Sequence, residues 1–450
     1  MALPRATRAI VSLGWPMLVG QLAVTANGVI DNVMAGHLSA VDLAAVAIGS
    51  STYFVVYIGL MGTLQAISPV VAQHYGAGRL REVGETWRQG QWLAAALLLP
   101  GGLALAFPQP LLALTAAEPA VAAGASAYLG ALLFGLPAAL WFRAFTTLNV
   151  AVSRPRAVMA ITLLGPACKV PLNALFMHGS DATTALGLPA VPAMGGAGCG
   201  VATAVVFWMS ALLGAAMLRV DPFYTRFSLR GAGRPRRAPL VELLRLGLPI
   251  GGTYLIDVTA FNLMTILIAR LGTAVVGGHA IAANIAVVLY MVPLAMSGAA
   301  GVLAAQALGR ADLREARRMA WHGTRLALAL AAAAAAALWL AREPLARLYT
   351  DDPAVAAVTV SLLGWVALYH VFDALQCSLA FALRAWKVSF APMLVFALSL
   401  WGIGLVGGAW LGLGLGWGAP AFWVAAVTAL AVAGVGLAVL FARVSRRPLA

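Results

Sequence analysis

Twelve apolar runs follow one another along the chain, near 9–34, 43–72, 90–115, 122–150, 157–178, 195–218, 246–270, 276–305, 321–345, 355–383, 390–412 and 418–442. About 20 apolar residues wound as an α-helix cross the ~30 Å of hydrocarbon in a bilayer. Inside hydrocarbon each peptide group must be satisfied by the chain itself, which only helices and closed barrels achieve. Barrel strands would read as ~10-residue segments alternating apolar and polar residues, and no such pattern occurs. The composition agrees, with 62% hydrophobic and 10% charged residues against roughly 25% charged in a soluble domain. The expected fold class is an all-α polytopic membrane protein with twelve transmembrane helices.

A net charge of +14 would suit a nucleic-acid surface, but its distribution says otherwise. Alternate loops carry 24 Arg and Lys on one side and only Arg270, Arg342 and Arg347 on the other, with Arg143 and Lys169 left inside spans. The positive-inside rule then places the rich side and both termini in the cytoplasm of a plasma (inner) membrane protein. No nucleic-acid partner and no obligate protein partner is expected. Arg5 and Arg8 precede an apolar run without a small-residue cleavage site, so that run reads as a retained first helix. Cys168, Cys199 and Cys377 fall inside apolar runs without metal-ligand spacing and read as small buried hydrophobes.

The chain also repeats itself. At a shift of 233 residues "GWPMLVG" from Gly14 falls on "GLPIGGT" from Gly247, and "AQHYGAGRLRE" from Ala72 on "AQALGRADLRE" from Ala305. Six spans per repeat give both halves the same orientation, related by an axis along the membrane normal. The expected organisation is two pseudo-symmetric six-helix lobes, 1–220 and 246–450, joined by a basic cytoplasmic linker at 221–245. Parallel repeats of this kind suit alternating-access transporters, and some channels as well.

Three acidic residues lie well inside spans: Asp31, Asp257 and Asp373. Each ionised Asp at mid-membrane costs roughly 2.5–3.5 kcal/mol on the insertion scale, so all three must face protein or water. A structural role, hydrogen-bonded between helices, is one reading; ion or proton coupling is the other. Tyr369 and Asp373 are four apart and share a helix face, with His370 and Gln376 beside them. Carboxylate and phenol oxygens suit a small hard cation such as sodium, and a carboxylate taken out of water also favours its protonated form. Asp257, Asp373 and Tyr369 are therefore the candidate cation ligands, if sodium is the ion. In the first half Asn27 and Asp31 share a face, and Lys169 is the one lysine within a span. An Asp31–Lys169 ion pair joined by Asn173 is expected, against the alternative that Lys169 snorkels to the interface. His279 and Asn284, with His370 and Gln376, are candidates for lining a cleft. Arg143 would snorkel or line the cytoplasmic vestibule, and Pro16, Pro249 and Pro293 are candidate kinks.

Several motifs agree in order and spacing with a known family: "VIDNVMAGHLSAVDLAAVAIGSS", "PLNALF", "GGAGCGVATA", "GHAIAANIAVVLYMVPLAM" and "YHVFDALQ". The chain resembles the multidrug and toxic compound extrusion (MATE) family, most closely its bacterial NorM-like branch, over nearly its whole length. The resemblance implies cation-coupled efflux of bulky amphipathic cations by rocking two six-helix lobes around a cleft. It places Asp31 at an N-lobe acidic position, Asn173 at an N-lobe polar position, and Tyr369 and Asp373 at C-lobe cation ligands. Asp257 stands where such members carry a glutamate, and Lys169 where an asparagine is expected. A lysine beside Asp31 would satisfy it permanently, which shifts the weight to Asp257, Tyr369 and Asp373.

The expected function is thus secondary antiport of small amphipathic cations against sodium ions or protons, with no cofactor and no enzymatic step. A lipid or lipid-linked precursor flippase of similar architecture is the alternative. A membrane aspartyl protease lacks its Gly-x-Gly-Asp motif here, and no Walker A loop, HExxH or nucleophile elbow occurs.

Overall fold

Fourteen α-helices account for nearly all of the computed structural model, which describes residues 5–113, 115–179, 190–229, 231 and 233–446. Arg230 and Arg447, both counted in the charge asymmetry, lie outside the described residues. The helices are α1 (Arg5–Leu38), α2 (Ala40–Leu64), α3 (Ile67–Gly76), α4 (Leu80–Ala106), α5 (Gln109–Ala113), α6 (Pro119–Ala151), α7 (Pro155–His178), α8 (Ala197–Val220), α9 (Arg237–Ala269), α10 (Thr273–Gly309), α11 (Leu313–Tyr349), α12 (Pro353–Ala385), α13 (Phe390–Ala397) and α14 (Ala419–Val444). After α13 the glycine-rich chain winds on as π-helix through Leu398–Gly407 and Trp410–Gly414. No β-strand forms among the described residues.

Local chemistry sets the helix ends. Asp352 caps α12 by accepting from the Ala354 amide at 2.8 Å, and Pro353 occupies the first helical position, where a missing N–H costs nothing. Asp312 caps α11 in the same way, through the Glu315 amide at 2.9 Å. Gly272, at φ +120°, turns the chain between α9 and α10 with a backbone that a side chain would strain.

Eleven helices or helix pairs among the described residues are long and apolar enough to cross a membrane. The twelfth expected span is α4, whose first three turns carry Arg81, Glu82, Glu85, Arg88, Gln89 and Gln91, so that its apolar stretch is short. Several helices outrun their apolar runs, α9 beginning at Arg237 and α11 at Leu313. Charged turns continue a helix once it leaves hydrocarbon. Large apolar side chains such as Leu340 (82% exposed) and Phe134 (76%) stand on the outside, a surface that suits lipid rather than water.

The chain folds as two compact units. The N-terminal unit comprises Val19–Val71 and Arg79–Gly247; the C-terminal unit comprises Met1–Leu18, Ala72–Gly78 and Leu248–Ala450. The linker expected at 221–245 falls within the N-terminal unit, its last residues already wound into α9, and two short segments of the first half fall within the C-terminal unit. The changeovers in α1 and α9 fall within two residues of Pro16 and Pro249, the repeat-related prolines.

Within the N-terminal unit α6 packs against α2, α4 and α8. Here Trp141 lies 5.8 Å, ring to ring, from both Trp87 and Phe145. The linker opens with a short 3-10 helix, Pro222–Phe227, capped by Asp221. It then lies along the start of α4, where a Cβ on Gly84 would overlap the Phe227 carbonyl oxygen. Gln89 donates to the Arg234 carbonyl at 3.0 Å and accepts from the Arg236 amide at 2.9 Å, while Arg236 pairs with Glu85. Within the C-terminal unit α10, α11 and α12 pack on one another, and α14 closes on α12.

The repeat also recurs in several close glycine contacts. In the C-terminal unit a Cβ on Gly76 would overlap the Gln306 carbonyl oxygen, and one on Gly309 would overlap that of Gln73. These two glycines, like the two glutamines, are related by the 233-residue shift. Gln73 also donates to the Ala385 carbonyl at 2.8 Å. Gly14 packs on Met296 in the same unit, and its counterpart Gly247 packs on Thr63 in the N-terminal unit. Thr63 and Met296 are again a shift-related pair.

Two predictions follow from this packing. Gly309→Val forces a branched side chain onto backbone and is expected to destabilise the protein by at least the ~1–3 kcal/mol of an overpacked core. Gly130→Ala, with open space around it, should be neutral or slightly stabilising; equal melting temperatures for wild type and Gly309→Val in detergent would refute the close contact. The second concerns the linker. The Phe223 amide at 2.8 Å, with Arg154 at 2.5 Å, holds the Asp221 carboxyl below the usual carboxylate range. That stabilisation is complete above an unfolded carboxylate pKa of about 4 and is lost as pH falls through the lower folded value. Proteolysis within 222–236 should therefore accelerate in strong acid for wild type, with a weaker pH dependence in Asp221→Asn.

Candidate functional site

Two polar clusters lie inside the bundles, one in each unit, and they are built on opposite principles. In the N-terminal unit Asp31 of α1, Lys169 and Asn173 of α7, and Thr203 of α8 meet. Lys169 Nζ lies 3.1 Å from Asp31 Oδ2, and Asn173 Nδ2 donates to Asp31 Oδ1 at 2.8 Å. Lys169 also donates to the Thr203 hydroxyl and, at 3.4 Å, to the Cys199 carbonyl. Lys169 and Asn173 are 0% exposed and Asp31 is 4%. The Asp31–Lys169 pair expected from the sequence forms, and Asn173 joins it; Lys169 does not snorkel. Asn27 sits a turn away beside Gly165, its side-chain oxygen buried without a partner.

Burying two charges is costly, and only good geometry with satisfied lone pairs offsets it. Here the Asp31 oxygens both accept, from Lys169 and Asn173, although Asn173 Oδ1 is itself buried without a partner. The Asp31 carboxylate is already neutralised by an ammonium within the chain and held by an amide, which leaves no net negative charge to attract a second cation.

The C-terminal unit brings Asp257 of α9 and Asp373 of α12 within electrostatic reach of each other. Both are half-buried, and neither has an ion-pair or hydrogen-bond partner among the described residues. The phenols of Tyr369 and of Tyr290 on α10 lie within electrostatic range of both carboxylates, and Tyr290 donates to Cys377 Sγ at 3.4 Å. Beneath them is an aromatic floor. Fully buried Trp423 packs edge-on against Tyr369 and Phe261 at 5.5 and 5.9 Å between ring centres. Two carboxylates without a cation repel each other. The oxygen set Asp257, Asp373 and Tyr369 fits either a small hard cation or a shared proton. Among the described residues no group of three or more His, Cys, Asp or Glu is placed to hold a metal ion.

The remaining candidates differ in their burial. His279, His370 and Gln376 are 0, 2 and 6% exposed. His279 exchanges a hydrogen bond with Thr265 at 3.0 Å and lies 5.7 Å from the Trp423 ring, as part of the packed interior. Asn284 is exposed and accepts from the Tyr349 hydroxyl at 3.3 Å. Arg143 donates to Gln65 Oε1 at 2.6 Å, where α2 gives way to α3. Arg384, counted from the sequence as a loop residue, is the buried last turn of α12 and donates to the Tyr254 hydroxyl at 3.1 Å.

Sequence reasoning passed over Thr203, Tyr290 and the Arg384–Tyr254 contact. Thr203 falls in "GGAGCGVATA", where small residues read as helix packing, and Tyr290 is a single phenol in an apolar run. Both are isolated polar groups in spans, the same signal that singled out the aspartates.

This arrangement of membrane-length helices in two repeat-related sets, each with a carboxylate cluster inside, defines a polytopic α-helical membrane protein of the transporter type. The MatE family matches residues 16–175 and 249–410, two copies whose starts lie 233 residues apart. The chain belongs to that family. It is 41% identical over 444 residues to the probable multidrug resistance protein NorM of Aromatoleum aromaticum, covering 96% of this chain and 93% of the relative. It is 33% identical to the multidrug resistance protein NorM of Vibrio cholerae, covering 95% and 93%. Among solved structures it superposes on the eukaryotic MATE transporter AtDTX14 with TM-score 0.87 at 18% identity, covering 98% of both chains. A MATE in its bent conformation gives TM-score 0.88 at 18% identity, covering 98% of this chain and 96% of that one.

The buried pair supplies a prediction. Lys169→Ala leaves Asp31 as an uncompensated buried charge and should cost roughly 3–5 kcal/mol, whereas Asp31→Asn combined with Lys169→Ala should recover much of the loss. Thermal unfolding of Lys169→Ala, Asp31→Asn and the double variant against wild type reads this coupling directly.

Proposed function

We propose that the protein is a secondary active multidrug efflux antiporter of the plasma membrane, with both termini cytoplasmic. It exports amphipathic, mostly cationic small molecules in exchange for sodium ions or protons, by rocking of two six-helix lobes, and performs no chemical step. The observation that carries this reading is the Asp257–Asp373 carboxylate pair, inside a membrane bundle and without a basic partner. Membership of the MatE family and the multidrug resistance names of its relatives support the same reading. The flippase alternative draws no support from those relatives.

In the cycle proposed, the entering cation relieves the repulsion between Asp257 and Asp373, with Tyr369 as a further oxygen ligand. It drives transport only if it binds one lobe arrangement more tightly than the other, since equal affinity shifts nothing. Asp31 is assigned a positioning role instead, because Lys169 and Asn173 already hold it.

The test is dye efflux from proteoliposomes under separately imposed sodium and pH gradients. Wild type should respond to at least one gradient, and Asp373→Asn should fall to the protein-free background while keeping its folded yield. Undiminished gradient-driven efflux by Asp373→Asn protein would overturn the assignment.

A further inference from the structure

The first four turns of α11 place Arg314, Arg317, Arg318, Trp321, His322 and Arg325 around one cavity of about 540 Å³. Their spacing of three and four puts all six on one helix face. Four guanidinium groups face this space. Glu315, paired with Arg318 at 3.3 Å, is the acid beside them, and Asp312 is spent on capping the helix. The pocket is anchored to the body of the C-terminal unit. Arg317 donates to the Ser445 carbonyl, His322 is hydrogen-bonded to Thr7 at 2.7 Å, and the Trp321 ring packs on Phe441 at 5.3 Å.

Depth is set by the sequence. The apolar stretch of α11, 326–341, begins immediately after Arg325. The arginine face therefore stands at the level of the lipid headgroups, with Trp321 in the position that interfacial tryptophans favour.

The internal repeat offers a contrast to this face. Under the 233-residue shift α11 corresponds to α4, and its Arg317, Arg318 and Arg325 fall on Gly84, Glu85 and Trp92. In the N-terminal unit that face is covered by the protein's own linker. Gly84 admits the Phe227 carbonyl, Glu85 pairs with Arg236, and Trp92 donates to the Gly233 carbonyl at 3.3 Å. On α11 a glycine, an acid and an indole have each become arginine. Arg81 and Arg88 of α4 stand where α11 has Arg314 and Trp321, so the face carries two arginines and an acid in one half and four arginines in the other.

We propose that this pocket binds the phosphate of an anionic phospholipid headgroup from the leaflet at which α11 begins. Guanidinium forks match phosphate oxygens in pairs, and basic pockets at the membrane surface attract acidic lipids. The lipid would bind on the side of the face where Arg314, Arg318 and Arg325 are exposed, Arg317 being engaged by the Ser445 carbonyl. The proposal is independent of the transport reading.

The experiment uses full-length protein purified in detergent and titrated with phosphatidylglycerol, phosphatidylcholine or inorganic pyrophosphate, read by thermal shift and by native mass spectrometry. Phosphatidylglycerol should raise the melting temperature and remain bound, while phosphatidylcholine and pyrophosphate do neither. The triple variant Arg314→Gln, Arg318→Gln, Arg325→Gln removes exposed side chains and should weaken phosphatidylglycerol binding about a hundredfold. Removing three arginines elsewhere, at Arg219, Arg237 and Arg310, should leave it unchanged. Should the triple variant not accumulate, Arg325→Glu alone reads the same loss. Equal retention of phosphatidylcholine, an equal shift from pyrophosphate, or an equal loss in the control variant would each overturn the proposal.

Discussion

Hydrocarbon supplies no hydrogen-bond partners, so a chain crossing it must satisfy its peptide groups internally and turn its remaining polar side chains toward protein. The helices of this protein obey the first demand almost without exception, including the π-helical run that carries Trp401 and Trp410. The second demand gathers Asp31, Lys169, Asn173 and Thr203 in one bundle and Asp257, Asp373, Tyr290 and Tyr369 in the other. The same rule has two outcomes. One cluster is neutralised from within the chain; the other holds carboxylates with no basic side chain paired to them among the described residues.

The contrast between the clusters has a physical basis in the repeat. Duplication supplies two equivalent scaffolds, and the close glycine contacts at Gly14, Gly76, Gly247 and Gly309 keep the backbone geometry of both. Side chains are free to diverge on that backbone. Asp31 has Met264 as its shift partner and Asp257 has Val24, so the carboxylates are not copies of each other. The start of α4 and that of α11 have diverged likewise, from a face that holds the linker to a face rich in arginine.

Much of the fold was legible along the chain, because span length, loop charge and the 233-residue shift are properties of sequence alone. The span limits came within a few residues except at α4, α9 and α11, where polar turns carry the start of the helix beyond the apolar run, and α4 also ends at Ala106, short of the expected 115. The Asp31–Lys169 pair was legible as well, since a buried lysine in a span needs an acid and its half offers one. His279 and His370 were not. A histidine in an apolar run reads alike whether it faces water or, as here, packs within the bundle.

By itself, then, the sequence determined the class of molecule, its repeat and which polar residues had to be sheltered. Hydropathy and period are written one residue at a time and need no knowledge of neighbours. Only the tertiary structure decided that the linker lies on α4, that 1–18 and 72–78 pack with the C-terminal unit, and that Thr203 and Tyr290 complete the two clusters. Those outcomes depend on which helix faces meet, and faces brought together from distant parts of the chain leave no periodic trace in it.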